Sequence, residues 1–105
     1  MNPETKKVYN LIGIATKSRN LVSGEFSTEK AVKEHRASLV IVAEDSSDNT
    51  KKMFTNMCTY YKVPIYFFGE KDKLGHAMGK EIRASLAVLD KGLADAIEKQ
   101  LKMMQ

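Results

Sequence analysis

The chain has a single cysteine, Cys58. That excludes an internal disulfide framework and fits a reducing compartment. No apolar run approaches the ~18 residues of a membrane-spanning helix, and Met1-Asn2-Pro3-Glu4-Thr5-Lys6-Lys7 lacks the apolar core of a signal peptide. A cytoplasmic protein without a membrane partner is expected. No glycine-rich phosphate loop of nucleotide-binding type is present. Gly75-His76-Ala77-Met78-Gly79 has two glycines only, and helix packing explains them. His35, Cys58 and His76 stand apart, without metal-ligand spacing, so no metal is expected. Cys58 falls on an apolar helix side, which suits packing rather than catalysis. Only three of the 17 cations are arginine (Arg19, Arg36 and Arg83). Each is worth locating, because a guanidinium forks onto phosphate where an ammonium acts as a point charge.

What is present describes one soluble domain. A chain of 105 residues supports one core and is too short for two. Hydrophobic residues make up 43% and charged residues 29%, a globular balance rather than a disordered one. The net charge of +4 and pI near 9.2 lean mildly towards polyanionic partners.

Apolar periodicity orders the elements. Val8, Leu11, Ile12 and Ala15 recur at helical spacing after Pro3, which a first helical turn tolerates. A polar turn, Lys17-Ser18-Arg19-Asn20, precedes the short strand Leu21-Val22. A second helix is predicted from Gly24 to His35. Ser38–Ala43 is a β-branched run that reads as a strand covered on both faces. A third helix, Asn49 to Lys62, turns Met53, Phe54, Met57, Cys58 and Tyr61 to one side, a core stripe. Val63–Phe68 is a strand with Pro64 near its start, where the missing donor does least harm. A short fourth helix carries Leu74, Ala77 and Met78 and stops at Gly79. The loop Lys80–Arg83 leads to the strand Ala84–Leu89 and a final helix from Lys91. Alternating helices and strands predict the α/β class, an α/β/α sandwich around four strands.

Three places carry candidate chemistry. Glu44, Asp45 and Asp48 follow a strand's C-terminal end, where ligands of open α/β sheets gather and where carboxylates could hold magnesium. The simpler reading is a turn in which Ser47 or Asp48 caps the next helix. The second place is Ser23-Gly24-Glu25-Phe26-Ser27, with Lys30 further along the helix. Ser23 is a candidate cap, Gly24 permits close approach and unusual dihedrals, and a helix N-terminus suits phosphate. The third is Lys80-Glu81-Ile82-Arg83. Tyr60 and Tyr61 could stack on bases, but nothing in the sequence points them outward.

The order of these segments resembles the kink-turn RNA-binding family of ribosomal proteins, the L-seven-Ae family, and its small bacterial members. The resemblance rests on Leu11-Ile12-Gly13 with Ala15, and on Val22-Ser23-Gly24 followed by Lys30-Ala31-Val32. It continues through Leu39–Asp45, Val63–Tyr66 and Lys73–Gly79, so it covers nearly the whole chain. It implies a three-layer α/β/α sandwich with a four-stranded mixed sheet and a non-catalytic protein without cofactor or small-molecule substrate. The implied partner is sharply kinked, structured RNA, bound by a monomer, with ribosome association a further implication. The family motif at the second helix reads Gly, any, Asn, Glu, any, any, Lys. Gly24 and Lys30 match it, while Phe26 and Ser27 replace the Asn and Glu that read guanine edges. Ser27 retains one hydrogen-bonding group. Phe26 has none on its side chain, and packs either on RNA or in the core. The family's second contact loop falls on Lys80, Glu81, Ile82 and Arg83, which would lie beside the Gly24 helix start. Lys80 and Arg83 are expected on the RNA backbone and Ile82 under an unstacked base. Lys17 and Arg19 are expected to approach the same edge. The alternative is a protein-interaction module on the same sandwich.

Overall fold

The β-branched run at the middle of the chain becomes a strand whose four residues, Leu39–Val42, are all buried. A computed structural model describes residues Met1–Gln105 and builds every other element around it. In chain order these are α1 (Pro3–Lys17), β1 (Leu21–Ser23), α2 (Glu25–Lys33), β2 (Leu39–Val42), α3 (Asp48–Tyr61), β3 (Ile65–Phe67), α4 (Lys71–Ala77), β4 (Ser85–Val88) and α5 (Lys91–Met103). The strands lie in the order β1-β4-β2-β3. β2 and β3 are parallel, whereas β4 runs antiparallel to both β1 and β2. The sheet is therefore mixed, as the family resemblance implies.

Successive residues of a strand face opposite sides, so β2 and β4 feed two cores. Leu39, Ile41, Leu86 and Val88 join Val8 and Ile12 of α1, Leu74 of α4 and Ile97 of α5 on one face. Val40, Val42 and Ala87 join Ala31 and Val32 of α2 with Phe54 and Cys58 of α3 on the other. α1, α4 and α5 thus form one outer layer, and α2 and α3 the second. Burial of each such large side chain contributes on the order of 1.5–3 kcal/mol. The predicted α3 stripe is core at Phe54 and Cys58, while Met53, Met57 and Tyr61 are half-buried at its border.

Element ends moved by a few residues for identifiable reasons. α2 stops at Lys33 rather than His35, because His35 adopts a left-handed φ of 61° that the helix cannot continue through. Pro64 lies just before β3, where its carbonyl accepts the Val40 N–H at 2.9 Å. Gly79 ends α4 as expected, with φ 72° after the cap at Met78.

Cys58 is 1% exposed, and burial pushes its thiol up from 9.0 to about 11. The folded form keeps its proton where the unfolded chain has released it. Stability is therefore unaffected below about pH 9 and falls as pH rises from 9 towards 11, by at most ~1.4 kcal/mol per pH unit from this group. Burial also raises Tyr9 and Tyr66. The share of Cys58 is the difference in alkaline slope between wild type and Cys58→Ala, measured by denaturant melts from pH 8 to 11. Equal slopes would remove this assignment.

Candidate nucleic-acid interface

Gly24 is the N-cap of α2, with φ 91° and ψ 159°. A left-handed φ of that size strains any residue with a Cβ. Open space surrounds the position, since a Cβ there would meet nothing within 4 Å. Glycine is thus required by the backbone turn rather than by packing. The Gly24 N–H donates to the Ser85 carbonyl of β4 at 2.9 Å, and its carbonyl accepts the Thr28 N–H at 3.0 Å. The N–H groups of Glu25, Phe26 and Ser27 have no protein partner.

The other helices are treated differently. Asn2 caps α1 through Thr5, Ser47 caps α3 through Thr50, and Asp90 caps α5 through Leu93. The Asp45 carboxylate reaches across to the Lys71 N–H of α4 at 2.9 Å. Only α2 begins without a side-chain acceptor. Ser23 does not cap it: its hydroxyl instead accepts the Arg83 Nε–H at 3.0 Å. Donors at a helix start carry partial positive charge and face a ready site for an anion.

That Arg83–Ser23 bond joins the second candidate segment to the first. The Arg83 Nη1 also donates to the Ile82 carbonyl at 2.8 Å. No carboxylate pairs with the guanidinium, so its charge is unneutralised and its remaining donors are free of protein partners. The loop 80–83 is pinned from beneath as well. Lys80 N–H donates to the Gly75 carbonyl at 2.7 Å and Arg83 N–H to the Lys71 carbonyl at 3.0 Å. A Cβ on Gly75 would stand 2.5 Å from the Glu81 carbonyl oxygen and 2.9 Å from the Ile82 nitrogen. Here the absence of a side chain is what lets the loop backbone lie on α4.

The two segments present complementary chemistry. Lys30 and Lys80 are exposed and make no ion pair. Phe26 is 78% exposed and Ile82 58%. Phe26 therefore has no place in the core, which takes the opposite face of α2 through Thr28, Ala31 and Val32. Glu25 is exposed in the first turn, where it suits the helix dipole but opposes an incoming phosphate. Ser27 is half-buried, and Glu81 is exposed, facing an open groove of about 790 Å³ shared with Lys80, Lys6 and His76.

Lys17 and Arg19 do not join this edge. They lie before β1, at the end where Leu21 pairs with Val88 and Asn20 accepts from Leu89, whereas Gly24 follows the opposite end, where Ser23 pairs with Leu86. The strand separates them, at ~3.3 Å per residue.

Sequence reasoning missed Ser23 as the anchor of Arg83. It also missed Thr28, buried in the first turns of α2, where the Ser85 hydroxyl donates to its own at 3.3 Å. The signal for Thr28 was available: it shares the helix face of Ala31 and Val32. Glu44, Asp45 and Asp48 form a capping turn, with Asp45 occupied by α4 and Ser47 on α3, and no cluster of three His, Cys, Asp or Glu side chains is placed to hold a metal.

The profile of the Ribosomal protein L7Ae/L30e/S12e/Gadd45 family matches residues 6–98. The RNA-binding protein YlxQ of Bacillus subtilis (strain 168) is 42% identical over 89 residues, 85% of this chain and 89% of that protein. An RNA-binding protein YlxQ of Enterococcus faecium is 34% identical over 89 residues, 85% of each chain. Among solved structures, a protein of unknown function from Bacillus halodurans C superposes with a TM-score of 0.89 at 32% identity, covering 91% of this chain and 97% of that one. The Giardia lamblia 15.5kD RNA binding protein gives a TM-score of 0.79 at 22% identity over 98% and 89% of the two chains, a likeness of fold.

Gly75→Ala tests the mounting of the loop. Alanine improves helix propensity by about 1 kcal/mol, but forcing a methyl against backbone costs about 1–3 kcal/mol. The expected result is a lower melting temperature and displaced amide signals for Lys80–Arg83 in a proton–nitrogen NMR spectrum. An unchanged loop spectrum would show that the contact is not required.

Proposed function

The chain belongs to the Ribosomal protein L7Ae/L30e/S12e/Gadd45 family, and from that premise we propose that it is a non-catalytic binder of structured RNA that prefers a kinked duplex. The observation that carries the reading is the open N-terminus of α2 beside the pinned loop 80–83. Free N–H groups and three cations without carboxylate partners, Lys30, Lys80 and Arg83, meet on two segments tied together by one hydrogen bond. The names of the YlxQ relatives as RNA-binding proteins support the same partner.

Kinking a duplex crowds phosphates on its inner side. A protein that places cations there binds the bent state better than the straight one and shifts the population towards it. Gly24 lets the backbone approach, and the unpaired N–H groups of Glu25, Phe26 and Ser27 donate to phosphate or base oxygens. Lys30 and Lys80 neutralise charge, and Arg83 offers the donors that Ser23 and Ile82 leave free. Phe26 and Ile82 supply apolar contact to unstacked bases. Phe26 cannot read a base edge by hydrogen bonding, so recognition rests on shape and phosphate more than on sequence.

Titration against a kink-turn duplex and a straight duplex of equal length is expected to favour the kinked one. Equal affinities would overturn the kink preference. Lys30→Ala should weaken binding and reduce the slope of log affinity against log salt by about one. Glu25→Gln should tighten binding a few-fold at low salt, because it removes a carboxylate facing the same phosphates.

A further inference from the structure

α2 has one fully exposed ridge. Phe26, Lys30 and Lys33 recur at i, i+4 and i+7, opposite the buried Thr28, Ala31 and Val32. The ridge begins at the open helix start and runs about 10 Å, at ~1.5 Å per residue. At its far end lies an aromatic cluster made by the chain reversals after α2 and at the end of α3. The His35 and Tyr61 rings meet edge-on, with centroids 5.6 Å apart, and Tyr60 packs against Tyr61 at 4.9 Å. Lys33, two residues before His35, pairs with Glu29 at 2.8 Å, so the ridge ends beside the cluster with this cation already partnered. Tyr60 is 78% exposed, as much as Phe26. Its contact with Tyr61 is tilted by 76°, so one neighbour steadies the ring without covering it.

We infer that Tyr60 is a stacking platform for an unpaired nucleotide of the RNA strand that leaves the site at the α2 N-terminus. This rests on the reading of that N-terminus as an RNA site. The ridge is continuous with that site and carries Lys30 without an acidic partner. A strand advancing ~3.4 Å per nucleotide spans the ridge and the cluster in roughly five nucleotides. Aromatic stacking takes any base, so the platform adds affinity for a single-stranded flank without demanding a sequence. Lys30, the cation of the ridge that has no carboxylate partner, favours a polyanion over a protein partner at this tyrosine.

The test compares a blunt-ended kink-turn duplex with the same duplex carrying a six-nucleotide single-stranded extension on each end in turn, and a free hexanucleotide. One extended form should bind wild type about tenfold more tightly than the blunt duplex. Tyr60→Phe should keep that gain. Tyr60→Ala should lose it while leaving blunt-duplex affinity and melting temperature unchanged. The proposal is overturned if no extension improves binding, or if the gain survives Tyr60→Ala. In the first case, with the blunt duplex still bound, the cluster is left to a protein partner. Loss of blunt-duplex binding in wild type, with the free hexanucleotide still bound in a Tyr60-dependent way, would instead overturn the kinked-duplex reading and support the platform. Binding to none of these RNAs would overturn both.

Discussion

The antiparallel pairing of β1 with β4 is the constraint on which the candidate interface depends. Leu21, Val22 and Ser23 face Val88, Ala87 and Leu86. Because the strands run in opposite directions, the exit of β1 and the entry of β4 share one end of the sheet. The Gly24 N–H then reaches the Ser85 carbonyl, and Arg83 reaches Ser23. Two loops about sixty residues apart in sequence become one surface. A parallel pairing would have placed them at opposite ends. Since β4 also pairs with the fully buried β2, the surface stands on the central strands of the sheet.

On that foundation the protein leaves one helix start incomplete. A side-chain cap contributes typically ~1 kcal/mol, and four of the five helices receive a side-chain acceptor, α4 from Asp45. α2 forgoes it, with its nearest hydroxyl turned to Arg83. The buried Thr28–Ser85 hydrogen bond and the packing of Ala31 and Val32 hold the helix in place instead. The result is a set of backbone donors fixed in position and available to a ligand, which costs less reorganisation on binding than mobile side chains do.

The chemistry around those donors is weighted towards charge and apolar contact. Phe26 and Ile82 are exposed on the two segments, while Lys30, Lys80 and Arg83 on the same segments form no ion pair. Such a surface offers positive charge and apolar contact. It has few side-chain acceptors with which to choose among bases.

Much of the architecture was legible in the residues themselves. Helical spacing at Val8, Leu11, Ile12 and Ala15, the β-branched run from Leu39 to Val42, and turn chemistry at Gly79 are local signals, set by backbone sterics and solvent exclusion over a few neighbours. Gly24 and Lys30 stood out because a glycine at a helix start with a cation about two turns in suits phosphate, whereas the loop from Lys80 to Arg83 took its contact role from the family resemblance. Strand direction, and hence which turns meet, was not local, and it reached the sequence reading only through family resemblance. The placement of Lys17 and Arg19 at the far end of β1, the diversion of Ser23 from cap to anchor, and the close seat of the loop on Gly75 follow from pairings between distant segments. Short-range patterns along the chain set the elements and the residue types at their ends. Which ends share a surface followed from the folded arrangement, because register and close approach arise from non-local contacts that no window of sequence contains.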